Sequence, residues 1–161
     1  MGTGDPAERL SIRRGEPRDR AWIVRSSHAT FAGFGDYGDI IDRWLSARGV
    51  ASVVAEEQAR PLGFSILYPH RRLGLLRPSF VELVAIVVEP GRRDRGLGRS
   101  LLDRSELVAR AWGAREVRLH TARENDGAQR FFLRAGYRPR EAEPSFYPRG
   151  QAAIEMARRF G

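Results

Sequence analysis

The chain contains neither cysteine nor lysine. Without cysteine there is no thiol nucleophile, disulfide, iron–sulfur cluster or thiolate zinc site. Without lysine there is no P-loop lysine and no Schiff base. Histidine is scarce: His28, His70 and His120 stand alone, in neither HxxxH nor HExxH spacing. A histidine-rich metal centre is therefore not expected, and no metal is assigned. Long apolar runs are also missing, since none reaches the roughly 18 residues of a membrane span. The start, Met1-Gly-Thr-Gly-Asp-Pro6, has no apolar core of a signal peptide, and Pro6 breaks the myristoylation pattern. These absences predict a soluble, cytoplasmic protein with no membrane partner.

What is present suits one domain over residues 1–161, with 42% hydrophobic residues for a single core. All 28 basic residues are arginine, against 20 acids, giving a net charge of +8. The excess is local. Residues 90–140 carry 13 arginines and 6 acids, whereas residues 1–89 and 141–161 are close to neutral. Such a stretch points to an anionic ligand or a solvated helix face. No aromatic–basic stripe or helix-turn-helix signature accompanies it, so nucleic acid is not an expected partner.

Alternation and periodicity give an order of elements. Leu10–Arg14 reads as a strand, Pro17–Phe31 as a helix, and Asp39–Arg48 as a second helix stopped by Gly49. Ala51–Ala55 and Leu62–Tyr68 read as strands around a turn at Glu56-Glu57-Gln58. Phe80–Val88 (FVELVAIVV) is the most apolar segment and reads as a buried central strand. Gly98–Trp112 is a helix, Glu116–Thr121 a strand, and Asp126–Ala135 a helix; residues 137–142 and Ala152–Met156 are the last strands. This is an α/β chain with a mixed sheet flanked by helices.

The most informative segment is Val88-Glu-Pro-Gly-Arg-Arg-Asp-Arg-Gly-Leu-Gly-Arg-Ser100, which joins the buried strand to an amphipathic helix. Gly96 and Gly98 let backbone approach a ligand closely. A helix N-terminus offers unpaired N–H groups and a positive dipole end, a natural phosphate site. Walker and dinucleotide-binding fingerprints both fail, the first for want of lysine and the second because residue 101 is Leu. The remaining frame, V-x-P-x-x-R-x-x-G-x-G-R-x-L-L, resembles the acyl-CoA pyrophosphate loop of the GNAT superfamily of N-acetyltransferases. Leu119-His-Thr-Ala-Arg-Glu-Asn-Asp-Gly-Ala-Gln-Arg-Phe-Phe-Leu-Arg-Ala-Gly-Tyr137 is similar to the second motif of that family. The resemblance runs over most of the chain. It implies a mostly antiparallel sheet of six or seven strands with about four helices, splayed at the central strand.

It further implies an enzyme that transfers acetyl from acetyl-CoA to a primary amine, of a small molecule or a polypeptide N-terminus, by direct attack in a ternary complex. Backbone groups of Ile86, Val87 and Val88 would bind pantetheine. Arg93, Asp94, Arg95, Gly96, Leu97, Gly98, Arg99 and Ser100 would cradle the pyrophosphate. Asn125 and Phe132 would meet the cofactor arm, with Asn125 also suited to cap a helix.

An ammonium must lose a proton before it attacks, so a base is needed near neutral pH. Glu82 is an acid inside an apolar strand, eleven residues before Arg93, at the spacing of a catalytic residue in several family members. His120, five residues before Asn125, is a second candidate. Phe132 stands where many members carry a tyrosine that protonates the leaving thiolate. Tyr147, in Phe146-Tyr147-Pro148, is either a substitute donor or a wall of the acceptor site. The missing tyrosine also leaves open a non-catalytic acyl-CoA-binding module on the same fold. Residues 29–38, 69–79 and 143–150 would line the acceptor pocket, where Arg71, Arg72 and Arg77 would favour an acidic acceptor. A faint C-terminal likeness to protein N-terminal acetyltransferases does not fix the acceptor, and the choice between monomer and homodimer stays open.

Overall fold

The computed structural model describes residues 10–93 and 95–161. Asp94 of the expected phosphate cradle lies outside them. The strands are β1 (Ser11–Arg14), β2 (Ala51–Glu57), β3 (Arg60–His70), β4 (Phe80–Val88), β5 (Glu116–Ala122), β6 (Arg138–Glu143) and β7 (Ala153–Arg159). The helices are α1 (Arg20–Phe31), α2 (Tyr37–Leu45), α3 (Leu97–Ala111) and α4 (Asp126–Arg134). The strands form one seven-stranded sheet in the order β1-β2-β3-β4-β5-β7-β6. All neighbours are antiparallel except β4 and β5. The expected mixed α/β sheet with four flanking helices is thus present among the described residues.

Two local expectations shift. The β2–β3 hairpin turns at Gln58-Ala59, both at positive φ (51° and 62°), so Glu56 and Glu57 belong to β2. Two central residues in the left-handed region match the strand twist, although neither is the glycine or asparagine that usually marks such a turn. Helix α2 starts two residues earlier and ends at Leu45, because the register that buries Ile41 also places Tyr37 and Trp44 towards the sheet.

Two cores hold the layers together. On one face α3 and α4 pack Leu97, Leu101, Leu102 and Phe132 against Val81, Leu83, Val117 and Leu119. On the other, α1 and α2 set Ile23 and Ile41 against Val54, Phe64, Ala85 and Val87. Burial of such side chains contributes about 1.5–3 kcal/mol each. Two polar contacts tie α3 into this interior. Ser65 and Ser105 hydroxyls lie 2.6 Å apart between β3 and α3, and the Tyr137 hydroxyl donates to Glu106 at 3.0 Å. Tyr137, the last residue of the second motif, is therefore a core residue.

The decisive irregularity is in β4. Ile66 pairs with Ala85 but Leu67 pairs with Leu83, so Val84 is an extra residue, a β-bulge. The bulge reverses facing. Val81 and Leu83 point to α3, whereas Ala85 and Val87 point to α1 and α2. On the other edge, β4 pairs with β5 only from Val81 to Leu83. From Val84 to Val88 the two parallel strands part, and the sheet opens in a wedge at its centre.

Candidate active site

The wedge and its mouth form two adjoining cavities. One, of about 120 Å³, lies between the parted strands and is lined by Ile86, Asn125, Phe132 and Tyr147 among others. The other, of about 240 Å³, is lined by Glu82, Trp44, Phe146 and Pro148 among others. Tyr37, Leu83, Val84 and His120 line both. A ligand in one would therefore meet a ligand in the other at the bulge.

Glu82 and His120 come together at this junction. Their strands are neighbours, with Glu82 opposite Arg118, so His120 is the diagonal neighbour on the same face. His120 Nδ1 is 3.9 Å from Glu82 Oε1. The His120 Nε2–H donates to Glu143 Oε1 at 3.0 Å, and Glu155 Oε2 lies 4.0 Å away. In the neutral ring this leaves Nδ1 as an acceptor. Nδ1 is buried with no hydrogen-bond partner, a cost that native interiors avoid unless a ligand removes it. Phe146 stacks on the imidazole at 4.2 Å and fixes the ring plane.

Three residues of this cluster carry no local sequence signal. His70, two residues beyond the partner of Glu82 on β3, donates from Nε2 to Glu82 Oε2 at 2.6 Å. Its own ring is held between Tyr68 and Phe80. Glu155 sits directly across from His120 on β7, and Glu143 arrives from edge strand β6. His70 lies in the segment 69–79 expected to line the acceptor pocket, and the pairing of β3 with β4 brings it to Glu82. The order β5-β7-β6 is not local, and nothing in the sequence announces the two glutamates. His120, Glu143 and Glu155 have ligand atoms within 4.8 Å of one another. Arg140 Nε also lies 3.4 Å from Glu155, so that carboxylate already faces a cation of the chain.

Tyr147 and Phe132 line the same cavity. Tyr147 packs on Phe34 at 4.5 Å and on Phe146 at 5.0 Å. Burial pushes its phenol pKa well up, with Tyr37 adding to the shift, so the hydroxyl keeps its proton at working pH. Tyr37 is raised as well, first by burial and then by the charge of Glu82.

At the far end of β4 the chain passes through a 3₁₀ turn (Pro90–Arg92) to Gly96, which takes φ +77° as the N-cap of α3. That left-handed conformation is the reason for glycine there. Arg93 Nε donates to the Val88 carbonyl at 3.4 Å, tying the loop to the strand end. Arg92 pairs with Glu57 and Arg99 with Asp103, while Arg95 is exposed. Asn125 caps α4, its Oδ1 accepting from Ala128 N–H at 3.0 Å, and it also lines the inner cavity. Of the expected acceptor segments, the first and third contribute Tyr37, Phe146 and Pro148. The second does not line the cavity: Arg71 bonds the Leu76 carbonyl and Arg77 lies against Gly113.

Residues 16–137 match the family model described as the Acetyltransferase (GNAT) family. The chain belongs to the GNAT family. It is 30% identical over 100 residues to the uncharacterized N-acetyltransferase MJ1207 of Methanocaldococcus jannaschii, covering 62% of this chain and 44% of that protein. The chain spans less than half the length of the curated relatives it matches. Its fold is that of Ard1 from Thermoplasma volcanium (TM-score 0.79, 21% identity, 93% and 97% of the two chains covered). It is equally that of PaiA N-acetyltransferase from Thermoplasma acidophilum in complex with coenzyme A (TM-score 0.71, 17% identity, 94% and 99% covered). Glu143, Tyr147 and Glu155 lie beyond the part matched by the family model. No helix among the described residues is long and apolar enough to cross a membrane.

Proposed function

We propose that this GNAT protein transfers acetyl from acetyl-CoA to a primary amine, with Glu82 and His120 as the base unit. The observation that carries the reading is the junction at Val84, where an inner and an outer cavity share one wall beside a carboxylate and an unpartnered imidazole nitrogen. The residues present fit an acyl-CoA. The parted strands offer a slot for an extended arm. Gly96 turns the start of α3 towards it, and a Cβ on Gly98 would make only an ordinary 3.6 Å contact with Phe131. The fold itself does not require glycine at 98, which leaves the backbone there open to a ligand at the helix N-terminus.

Bound acetyl-CoA supplies an activated thioester carbonyl. The chain's own groups do the rest. Amides of the α3 N-terminus, with the arginines around it, hold the phosphates, and Asn125 meets the arm. Glu82 receives the acceptor's ammonium and takes its proton, through Oε1, while His70 holds Oε2 in place. His120 Nδ1, 3.9 Å behind, shares that proton, and Glu143 and Glu155 stabilise the imidazolium. The amine nitrogen then bonds to the acyl carbon as the carbon–sulfur bond breaks, and the proton that nitrogen sheds on becoming an amide reaches the departing thiolate through the Tyr147 hydroxyl, which gives one proton and takes the other. A thiol pKa near 8.5 makes that last step modest in demand. Tyr147, which lines the inner cavity together with Phe132, supports transfer over a non-catalytic module. The test is release of free CoA from acetyl-CoA in the presence of an amine panel. Amine-dependent release is expected; binding of acetyl-CoA with no release for any amine would sink the reading.

A further inference from the structure

Resting on that reading, we infer that the acceptor is a primary amine carried on a single aromatic or branched apolar body. The outer cavity is where such a body would sit. Its walls are Tyr37, Ile40 and Trp44 from α2, Phe146 and Pro148 from the β6–β7 loop, and Val84 below. The charged or ionisable groups on its surface are Glu82 and His120, both at the inner end, and Tyr37, whose raised pKa keeps it neutral. The cavity thus receives one positive charge at its base and offers apolar surface everywhere else.

Other acceptor chemistries lack partners here. A second ammonium would need another carboxylate on the lining. The nearest two are engaged: Glu143 accepts from His120, and Glu155 faces Arg140. An acidic acceptor would need an arginine, and none lines the cavity. Arg43 and Arg149, adjacent in sequence to Trp44 and Pro148, are not on the lining, and Arg118 lies over the Phe80 ring and bonds Glu116. A polypeptide N-terminus would bring a backbone N–H and C=O against Ile40, Trp44 and Pro148, and unpaired amides are costly in such surroundings. The volume, about 240 Å³, is below the span of drug-sized pockets and suits one ring on a short stem.

The wall is preformed. Trp44 is fixed edge-on by Tyr68 at 4.7 Å, and Phe146 is fixed by its stack on His120. Little ordering is left for the acceptor to induce, which favours a rigid ring over a flexible polar chain.

The experiment uses the full chain with acetyl-CoA and five acceptors: phenethylamine, ethanolamine, 1,4-diaminobutane, glutamate and the dipeptide Phe-Ala. Calorimetric binding to the CoA-saturated protein runs alongside turnover. We expect kcat/KM for phenethylamine to exceed that of the other four by about tenfold or more. Trp44→Ala should raise the phenethylamine KM about tenfold, with the acetyl-CoA KM unmoved. Ile40→Trp, which fills the cavity and leaves the core side of α2 intact, should do the same and guards against misfolding of the first variant. Preference for the diamine, glutamate or the dipeptide, or an unchanged KM in Ile40→Trp, overturns the inference. Phenethylamine binding without any turnover would keep the inference and sink the transfer reading. Turnover of ethanolamine with no phenethylamine binding would do the reverse, and loss of both sinks both.

Discussion

The two halves of β4 belong to one strand of nine residues and do opposite work. From Val81 to Leu83 the strand is paired on both edges, to β3 and to β5. There the side chains act: Glu82 is pinned by His70 and faces His120. From Ala85 to Val88 the strand is paired with β3 alone, and every residue is apolar. There the backbone acts, in the opened wedge that leads to the start of α3. One inserted residue, Val84, separates the two regimes. A fully paired strand would give a rigid platform with no slot, and a fully split one would give a slot with no fixed base. The bulge supplies both within nine residues.

Several substitutions can break or sharpen this division. The largest effect should come from the paired half. Glu82→Gln keeps shape and the His70 contact but cannot take a proton, so kcat/KM should fall about 10²–10⁴-fold while acetyl-CoA affinity stays within about twofold. Kinetics against direct cofactor titration check the split. Next is the unpaired half's phosphate end. Gly98→Ala fits the protein and improves helix propensity, so the melting temperature should hold or rise. Acetyl-CoA affinity should nonetheless weaken about tenfold, about 1.4 kcal/mol, in calorimetry. If affinity is unmoved, the cofactor does not approach that helix start.

Tyr147→Phe should lower kcat by about tenfold with little change in either KM, because its hydroxyl donates only as the thiolate leaves. The smallest effect concerns the scaffold, outside both halves. Hydrogen bonds from Arg13 hold Asp19 below the usual carboxylate range, and they do the same for Glu56. A depressed carboxylate stabilises the fold above its unfolded pKa of about 4, and that contribution drains away as pH falls through the lower folded value. The melting temperature should therefore drop on acidification below about pH 4. Arg13→Ala should flatten that dependence while leaving kcat/KM at neutral pH near the parent value. A melting curve series from pH 6 to about 2.5 reads both.

What the sequence disclosed follows the same division. The unpaired half and its loop are a local device, strand then glycine turn then helix, so the turn at Gly96 and the helix after it were legible in the residues. Glu82 stood out because an acid in FVELVAIVV conflicts with its surroundings. Apart from His120, its partners did not stand out. His70 reaches it across a hairpin, and Glu143 and Glu155 reach His120 through strands that pair out of sequence order. Tyr37 lies in the segment expected to line the acceptor pocket, whereas Trp44 reads as part of a helix, and only the fold shows that it faces the cavity. The turn at Gln58-Ala59 was misplaced for a different reason, since positive φ at non-glycine residues leaves no mark in residue type.

The division itself is tested most directly by titrating acetyl-CoA into Glu82→Gln while following acetyl transfer to phenethylamine in the same sample. We expect a dissociation constant within about twofold of the parent protein and transfer reduced at least about 100-fold. Parent-level transfer, or loss of acetyl-CoA binding in a variant that still folds, would contradict the assignment of the base to the paired half and of the cofactor to the open one.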